Sequence, residues 1–431
     1  MTYSEAIQYL YRLQLFGASF GLETTIKLAA AAGHPEGNLR FIHVAGTNGK
    51  GSTCAMLESI YRRAGWRVGL YTSPHLISFR ERIQIDRRPI PEVDLARLVD
   101  EFQTWMIGVE GASPPTFFEA VTVVALKYFA EQRCDLVIWE TGLGGRLDAT
   151  NIVTPLASVI TNVEFDHEKW LGNTLAEIAF EKAGIIKPGV PAFTATANGP
   201  ALEVIQRVAR EKSAPLSVLN AEEAEAKTRD THIGLAGEHQ QINAALAVTV
   251  VDGLSKAFPV NEETIAKGLT ELSWPGRLQS VREKNGRQLL LDGAHNPAGA
   301  KTLVASLKSL FPSQNFALIL GVMRDKNWEE LCRILAPCAV RVVTCRTGSG
   351  RAASPGDLAA VCRAANPEAE VTTTESVAAA LEQTRGEERV VIAGSLYLIG
   401  EALCALGIAE RSGIDEMQLN DWKGDMKADG R

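Results

Sequence analysis

The chain has no C-x-x-C pair. Its seven cysteines, at positions 54, 134, 332, 338, 345, 362 and 404, are scattered and odd in number. That spacing speaks against a disulfide framework or a cysteine zinc site and fits reduced thiols in the cytoplasm. No stretch is apolar enough to span a bilayer, and the opening MTYSEAIQYLYRL lacks a signal-peptide pattern, so no membrane association is expected. Basic residues are in deficit. A formal net charge of −7 argues against nucleic acid as the main partner, which calls for a basic face, but leaves room for local lysines to bind an acidic small substrate. Internal repeats and low-complexity tracts are missing as well. What remains is an ordinary composition, 46% hydrophobic and 22% charged, spread over 431 residues, which is too many for one compact core.

A strict G-x-x-x-x-G-K-[ST] phosphate loop is also absent, yet a variant of it organises the chain. The apolar run Phe41, Ile42, Val44 leads into Gly46-Thr47-Asn48-Gly49-Lys50-Gly51-Ser52 and then into a helical segment over 53–63. Strand, glycine turn and helix let backbone N–H groups curl around phosphate oxygens, with the helix N-terminus and a lysine adding positive charge. Val44 stands where the strict pattern has glycine, and Gly51 where it has Ser or Thr. A structural glycine turn is the rival reading, but Lys50 would be an odd residue between two glycines.

Along the chain, helices are expected over 4–15 with Ser4 as N-cap, and over 22–32, 92–106 and 116–130. Strands are expected over 67–71, 80–85, 135–140 and 157–161. This strand–helix alternation predicts an α/β fold whose parallel sheet carries helices on both faces. Ser273-Trp274-Pro275-Gly276 reads as a linker. After it the alternation restarts, with strands over 288–291, 316–320, 340–344, 370–373 and 389–392 and helices such as 300–310 and 328–335. The expected division is a P-loop ATPase domain over 1–275, a smaller Rossmann-like α/β domain over 276–410, and a loose polar tail over 411–431.

Polar residues cluster just past apolar strands, where open α/β sheets bind ligands. Glu140 ends one strand, the place where a nucleotide enzyme sets the acid that holds magnesium; a turn or cap acid is the bland alternative. The loop after it, Thr141 to Asn151, spends three glycines, an Arg and an Asp, which implies close backbone approach to a ligand. His167, in Thr161-Asn162-Val163-Glu164-Phe165-Asp166-His167, either ligates a metal or satisfies its own loop. Lys182 and Lys187 read as lysines complementing a helix end. In the second half, Asp292 and His295 of DGAHNP suggest a site, Asn296 a helix cap, and Arg277 lies just after the linker.

Taken in order, GTNGKGS, TSPHL, PTFFEAVT, ETGLGGRLDATN, TNVEFDHEKWLG, EKAGIIKP, HQQINAALA, WPGR, DGAHNP and GSLYLIGE resemble the folylpolyglutamate synthase / dihydrofolate synthase family of ATP-dependent Mur-type amide ligases. The blocks reach to Gly400 and cover nearly the whole chain; the variant phosphate loop is the form this family uses. The resemblance implies an acyl-phosphate mechanism, with ATP as co-substrate and magnesium at one or two sites. Asn48, Gly49, Lys50 and Gly51 would bind ATP, with Asn243, Arg277 and Asp292 as further nucleotide contacts. Ser73, Glu140 and His167 would ligate magnesium. Lys182 matches a lysine that the family carbamylates, and His295 lies beside the nucleotide contacts as a further catalytic candidate with Lys50, Glu140, His167 and Lys182. Pterin contacts would fall at Gly17, Ala18, Ser19, Phe20, at Thr116, Phe117, Phe118, Glu119, and at Leu147, Asp148, Ala149. The implied partners are L-glutamate, dihydropteroate and tetrahydrofolate, and the implied state is a monomer. Alternatives are a synthase that only extends folates, another Mur-type ligase, or a nucleotide-regulated binding protein. A cell-wall Mur ligase would be expected to carry a further N-terminal UDP-binding domain, and about 40 residues precede this loop.

Overall fold

The computed structural model describes residues 1–14, 21–107, 114–312, 316–410 and 416–420. The pterin contacts expected at Gly17–Phe20 lie outside them.

The first sheet runs β1 (Phe41–Ala45), β2 (Val68–Tyr71), β3 (Ile83–Ile85), β4 (Arg88–Pro89), β5 (Leu136–Glu140), β6 (Ala157–Ile160), β7 (Ala192–Thr194) and β8 (Leu216–Val218), in the order β4-β3-β2-β5-β1-β6-β7-β8. Six strands pair in parallel, and β3 and β4 close one edge antiparallel. The period-2 geometry of a strand sends alternate residues to opposite faces, and both faces are apolar. Val137 and Trp139 of β5 join one core with Phe41, Tyr71, Phe102 and Phe129. Leu136 and Ile138 join the opposite core with Met56, Leu57, Tyr61 and Phe258. Trp139 stacks on Tyr71 at 4.4 Å between ring centroids, and its indole N–H donates to the Thr150 carbonyl at 3.0 Å.

The second sheet has β9 (Gln279–Arg282), β10 (Gln288–Asp292), β11 (Ala317–Leu320), β12 (Arg341–Cys345), β13 (Glu370–Thr374) and β14 (Arg389–Ala393), in the order β13-β12-β11-β14-β10-β9. All its pairings are parallel except β9 with β10. Among the described residues no helix is long and apolar enough to cross a membrane.

Several elements differ from the sequence reading. The first helix is capped by Thr2, not Ser4, because Thr2 and Glu5 form a reciprocal capping box. Arg80–Arg82, expected in a strand, belong to a 3-10 turn over Phe79–Arg82 capped by Ser78 and Glu81, and only Ile83–Ile85 pair as β3. Residues 416–420, expected within a loose polar tail, form a 3-10 turn with Glu416, Met417, Leu419 and Asn420 buried. Its hydrogen bonds go to the loop after β2: the Glu416 carboxylate accepts from Ser78 Oγ at 2.9 Å and from the Phe79 N–H at 2.6 Å.

Close packing at that junction sets a test. Gly400, inside the helix Leu396–Ala405, is a place where alanine would gain about 1 kcal/mol by helix propensity alone. A Cβ there would stand 2.2 Å from the Leu76 carbonyl oxygen and 2.9 Å from Met417 Cε. Leu76 cannot give easily, since its N–H donates to Glu81 at 2.8 Å. Overpacking of about 1–3 kcal/mol outweighs the propensity gain, so Gly400→Ala should lower the urea midpoint without changing the slope of the transition.

Candidate active site

Register brings the functional strand ends together. Val44 pairs with Glu140 across β1 and β5, and Ala45 pairs with Ile160 across β1 and β6. The phosphate loop, Glu140 and the Thr161–His167 loop therefore leave the carboxyl ends of three adjacent central strands side by side. Gly46 approaches its neighbour so closely that a Cβ would sit 1.9 Å from Thr161 Oγ1. Gly49 caps the helix Lys50–Arg63 with φ +83°, a left-handed conformation open to glycine, and a Cβ there would meet Asn243 Oδ1 at 2.5 Å. Gly51 explains its own departure from the strict pattern. A Cβ at this position would already be 3.1 Å from the Trp274 indole nitrogen, so the larger Ser or Thr side chain would crowd the linker.

The loop is cross-braced. The Asn48 N–H donates to Asn162 Oδ1 at 2.8 Å, Thr161 Oγ1 donates to the Asn48 carbonyl at 2.6 Å, and Thr47 Oγ1 exchanges hydrogen bonds with the backbone of Glu164. Lys50 Nζ folds over the loop, donating to the Gly46 and Thr47 carbonyls at 3.1 and 3.3 Å.

Glu140 is 3% exposed. Among the described residues its carboxylate accepts one hydrogen bond, from the Ser73 N–H at 3.2 Å, and no ion pair reaches it. Burial raises its pKa to about 7, against the opposing pull of Lys50. A buried carboxylate without an ion-pair partner among the described residues, bonded to the backbone of a serine, is an oxygen donor of the kind that suits magnesium. His167 is placed differently. Its backbone is left-handed at φ +53°, its Nε2 accepts from Lys326 Nζ at 3.0 Å, and burial followed by the Lys326 ammonium keeps the ring neutral. Thus the structure unites Ser73 with Glu140, whereas His167 is engaged by Lys326 and Asp166. Among the described residues no three His, Cys, Asp or Glu side chains converge as a metal cluster.

Lys182 is 3% exposed, in the last turn of the helix Leu175–Ala183, and donates to the Gly46 carbonyl at 2.9 Å. Burial, reinforced by Lys50, lowers its pKa to about 7.

The second sheet covers the phosphate loop. Asn296, at the N-terminus of the helix Pro297–Leu310, caps it through Gly299 and also donates to Asn48 Oδ1 at 3.1 Å and to Asp166 Oδ2 at 3.0 Å. Lys326 pairs with Asp166 at 2.7 Å. His295 donates from Nδ1 to the Gly293 carbonyl at 2.9 Å and turns Nε2 toward Asp166 at 3.6 Å. Burial alone would raise the Asp166 carboxyl, but the His295 contact and the Lys326 ammonium hold it well below the usual carboxylate range. Asp166, Asn296 and Lys326 are the residues that sequence reasoning did not place in the site. All three stand just past apolar strands, the one signal that could have found them.

The remaining expected contacts are more self-contained. Asp292 accepts from the backbone N–H groups of Leu278 and Ala294, at 2.9 Å each, and Asn243 donates to Gln240 at 3.0 Å. The Arg277 guanidinium crowds Gly293, where a Cβ would be 2.5 Å from Nη1. Thr116 and Glu119 form a buried capping box at the start of the helix Phe117–Glu131. Asp148 accepts from the Leu143 and Thr150 N–H groups at 2.8 and 3.0 Å, with Ala149 buried behind it. Phe117 is buried, while Phe118 and Leu147 are half-buried; the Phe118 ring lies against Gly142.

Comparison with known proteins fits this geometry. Residues 276–396 match the model of the Mur ligase, glutamate ligase domain. The chain is 36% identical to the dihydrofolate synthase/folylpolyglutamate synthase of Bacillus subtilis (strain 168), over 93% of this chain and 98% of that one. It is 32% identical to the folylpolyglutamate synthase of Lacticaseibacillus casei, over 92% and 97%. Among solved structures, E. coli FolC in complex with DHPP and ADP superposes with a TM-score of 0.83 at 30% identity, covering 95% of this chain and 98% of that one. Mycobacterium tuberculosis folylpolyglutamate synthase complexed with ADP and AMPPCP gives a TM-score of 0.86 at 28% identity, covering 95% and 100%.

Proposed function

The chain belongs to the folylpolyglutamate synthase / dihydrofolate synthase family of Mur-type ligases, and on that premise we propose that it adds L-glutamate both to dihydropteroate, giving dihydrofolate, and to tetrahydrofolates, lengthening a γ-linked tail. It is an ATP-dependent ligase. The observation that carries the reading is the roof over the phosphate loop. Asn296 and Lys326, both from the second half, reach Asn48, Asp166 and His167 around it. A nucleotide switch would have no use for that roof.

In the proposed reaction the substrate carboxylate attacks the γ-phosphorus of ATP and ADP leaves, giving an acyl phosphate. The glutamate amine then attacks the acyl carbon, expels phosphate and loses its proton. Loop N–H groups from Gly49 to Gly51 and the Lys50 ammonium stabilise charge on the transferring oxygens, with Asn48 lining the loop and Asn243, Arg277 and Asp292 on the nucleotide side. Magnesium, for which Ser73 and Glu140 supply oxygen donors, would add positive charge against the phosphates. The Asp166–Lys326 pair and Asn296 hold the roof closed, which excludes the water that would hydrolyse the intermediate. Phe118 and Leu147, the half-buried members of their blocks, are the side chains offered to the pterin. We place the enzyme in the cytoplasm as a monomer.

The test is phosphate release from ATP in the presence of glutamate and either dihydropteroate or tetrahydrofolate. Glutamate-dependent turnover with both is expected. Turnover with tetrahydrofolate alone would leave a folate-extending synthase, and turnover with neither would overturn the ligase assignment to these substrates.

A further inference from the structure

The buried turn Glu416–Asn420 touches both arms of the site. Toward the loop after β2, the His75 imidazole donates from Nε2 to the Glu416 carbonyl at 2.9 Å and accepts at Nδ1 from Arg82 Nε at 2.8 Å. Arg82 donates onward to the Asn420 side-chain oxygen, and Asn420 Nδ2 returns a bond to the His75 carbonyl at 2.9 Å. The circuit is closed, and it grips the backbone two residues from Ser73. Toward the second sheet, Arg351 Nη2 donates to the Asn420 carbonyl at 3.2 Å while its Nη1 pairs with Asp325 at 3.0 Å, next in the chain to Lys326. Met417 packs with Met323 and Tyr397 in a small apolar cluster under the same loop.

His75, Arg82, Glu416 and Asn420 are all under 10% exposed. Apolar residues would plug the same space without the desolvation penalty of burying charge. What a fully satisfied polar circuit adds is direction, fixing two backbones relative to each other. We propose that the Glu416–Asn420 turn is a positioning element of the phosphoryl-transfer site, holding the Ser73 loop and the Lys326 loop in register so that both meet the same triphosphate. The proposal rests on the ligase reading above, and Asn420 is its central positioning residue because its amide closes the circuit on one side and its carbonyl holds Arg351 on the other.

The test uses the full chain and two readouts. In the ligand-free protein, Asn420→Ala should speed amide hydrogen exchange over residues 72–82 by about tenfold, the loss expected for hydrogen bonds to a charged partner. In turnover it should lower kcat about ten- to a hundredfold, the penalty for displacing a reacting group by a fraction of an ångström to an ångström, with KM for the pterin acid little changed. Phe311→Leu, in an apolar core of the second sheet that contains none of the turn's residues, serves as the control: it should lower thermal stability and leave kcat intact. Should Asn420→Ala fail to fold, Asn420→Asp keeps the acceptor for Arg82, removes the donor to His75, and carries the same expectation for residues 72–82. Unchanged exchange, or faster exchange with wild-type kcat, overturns the proposal. A wild-type protein without glutamate-dependent turnover overturns the ligase reading instead, and the exchange result then still decides whether the turn holds the loop.

Discussion

Lys50→Ala should lower turnover by at least about a hundredfold, because it removes a preorganised charge from the site of phosphoryl transfer. The side chain is held over the loop by its bonds to the Gly46 and Thr47 carbonyls, which leaves the third N–H of its ammonium for a phosphate oxygen. The loss compounds through two neighbours. Lys50 is the leading group that opposes the rise of the Glu140 pKa, already about 7; without it the acid holds its proton more tightly and binds a cation less well. Lys50 also helps depress Lys182, so its removal returns that amine toward an ordinary ammonium. Lys50→Arg keeps the charge but not the compact head and should recover only part of the rate. The check is kcat by phosphate release together with a thermal midpoint showing that the variant is folded. Near-normal turnover would mean that the loop serves something other than ATP.

The loop itself was legible because its signals are local. A buried strand reads as an apolar run, a left-handed cap demands glycine, and Lys50 stands between Gly49 and Gly51. Glu140 was legible for the same reason, as an acid ending an apolar run. The roof was not. Asn48 and Asn296 are 248 positions apart and Lys326 and Asp166 are 160 apart, and no periodicity links such partners. Asn296 was readable as a helix cap, which it is; its two further bonds, to Asn48 and Asp166, come from tertiary packing alone. β7 and β8 span three residues each, too short for alternation to register. The turn at 416–420 hides Met417 and Leu419 among polar residues, and the Glu416 partners Ser78 and Phe79 lie more than 300 positions away. The bland reading of Lys182 as a helix-end lysine placed it correctly in a last turn, but nothing local shows that this turn faces Gly46 and is closed to water.

Burial is what makes Lys182 chemically distinctive. An ordinary lysine is protonated almost completely at neutral pH, whereas burial, reinforced by Lys50, lowers the Lys182 pKa to about 7 and so favours the neutral amine there. Only the neutral amine can attack carbon dioxide, forming an N–C bond and releasing one proton to give a carbamate. The sign of the Lys50 effect then inverts. We propose that Lys182 is carbamylated: the cation that disfavours an ammonium there would favour an anionic carbamate, so the same geometry would both activate the amine and stabilise its product. Activity of enzyme purged of carbon dioxide should therefore recover on adding bicarbonate, with recovery rising as pH passes upward through about 7 and failing below it. Lys182→Ala should lose about a hundredfold or more in kcat, as expected for removing an anion that orients the phosphoryl site, and short carboxylates such as acetate should restore part of it. Mass spectrometry of the native protein at pH 8 should find a labile carbon dioxide adduct on the peptide carrying Lys182. Bicarbonate-independent activity together with an unmodified Lys182 would reduce this residue to a buried amine bonded to the Gly46 carbonyl, and its contribution would then be to brace the phosphate loop, not to carry charge.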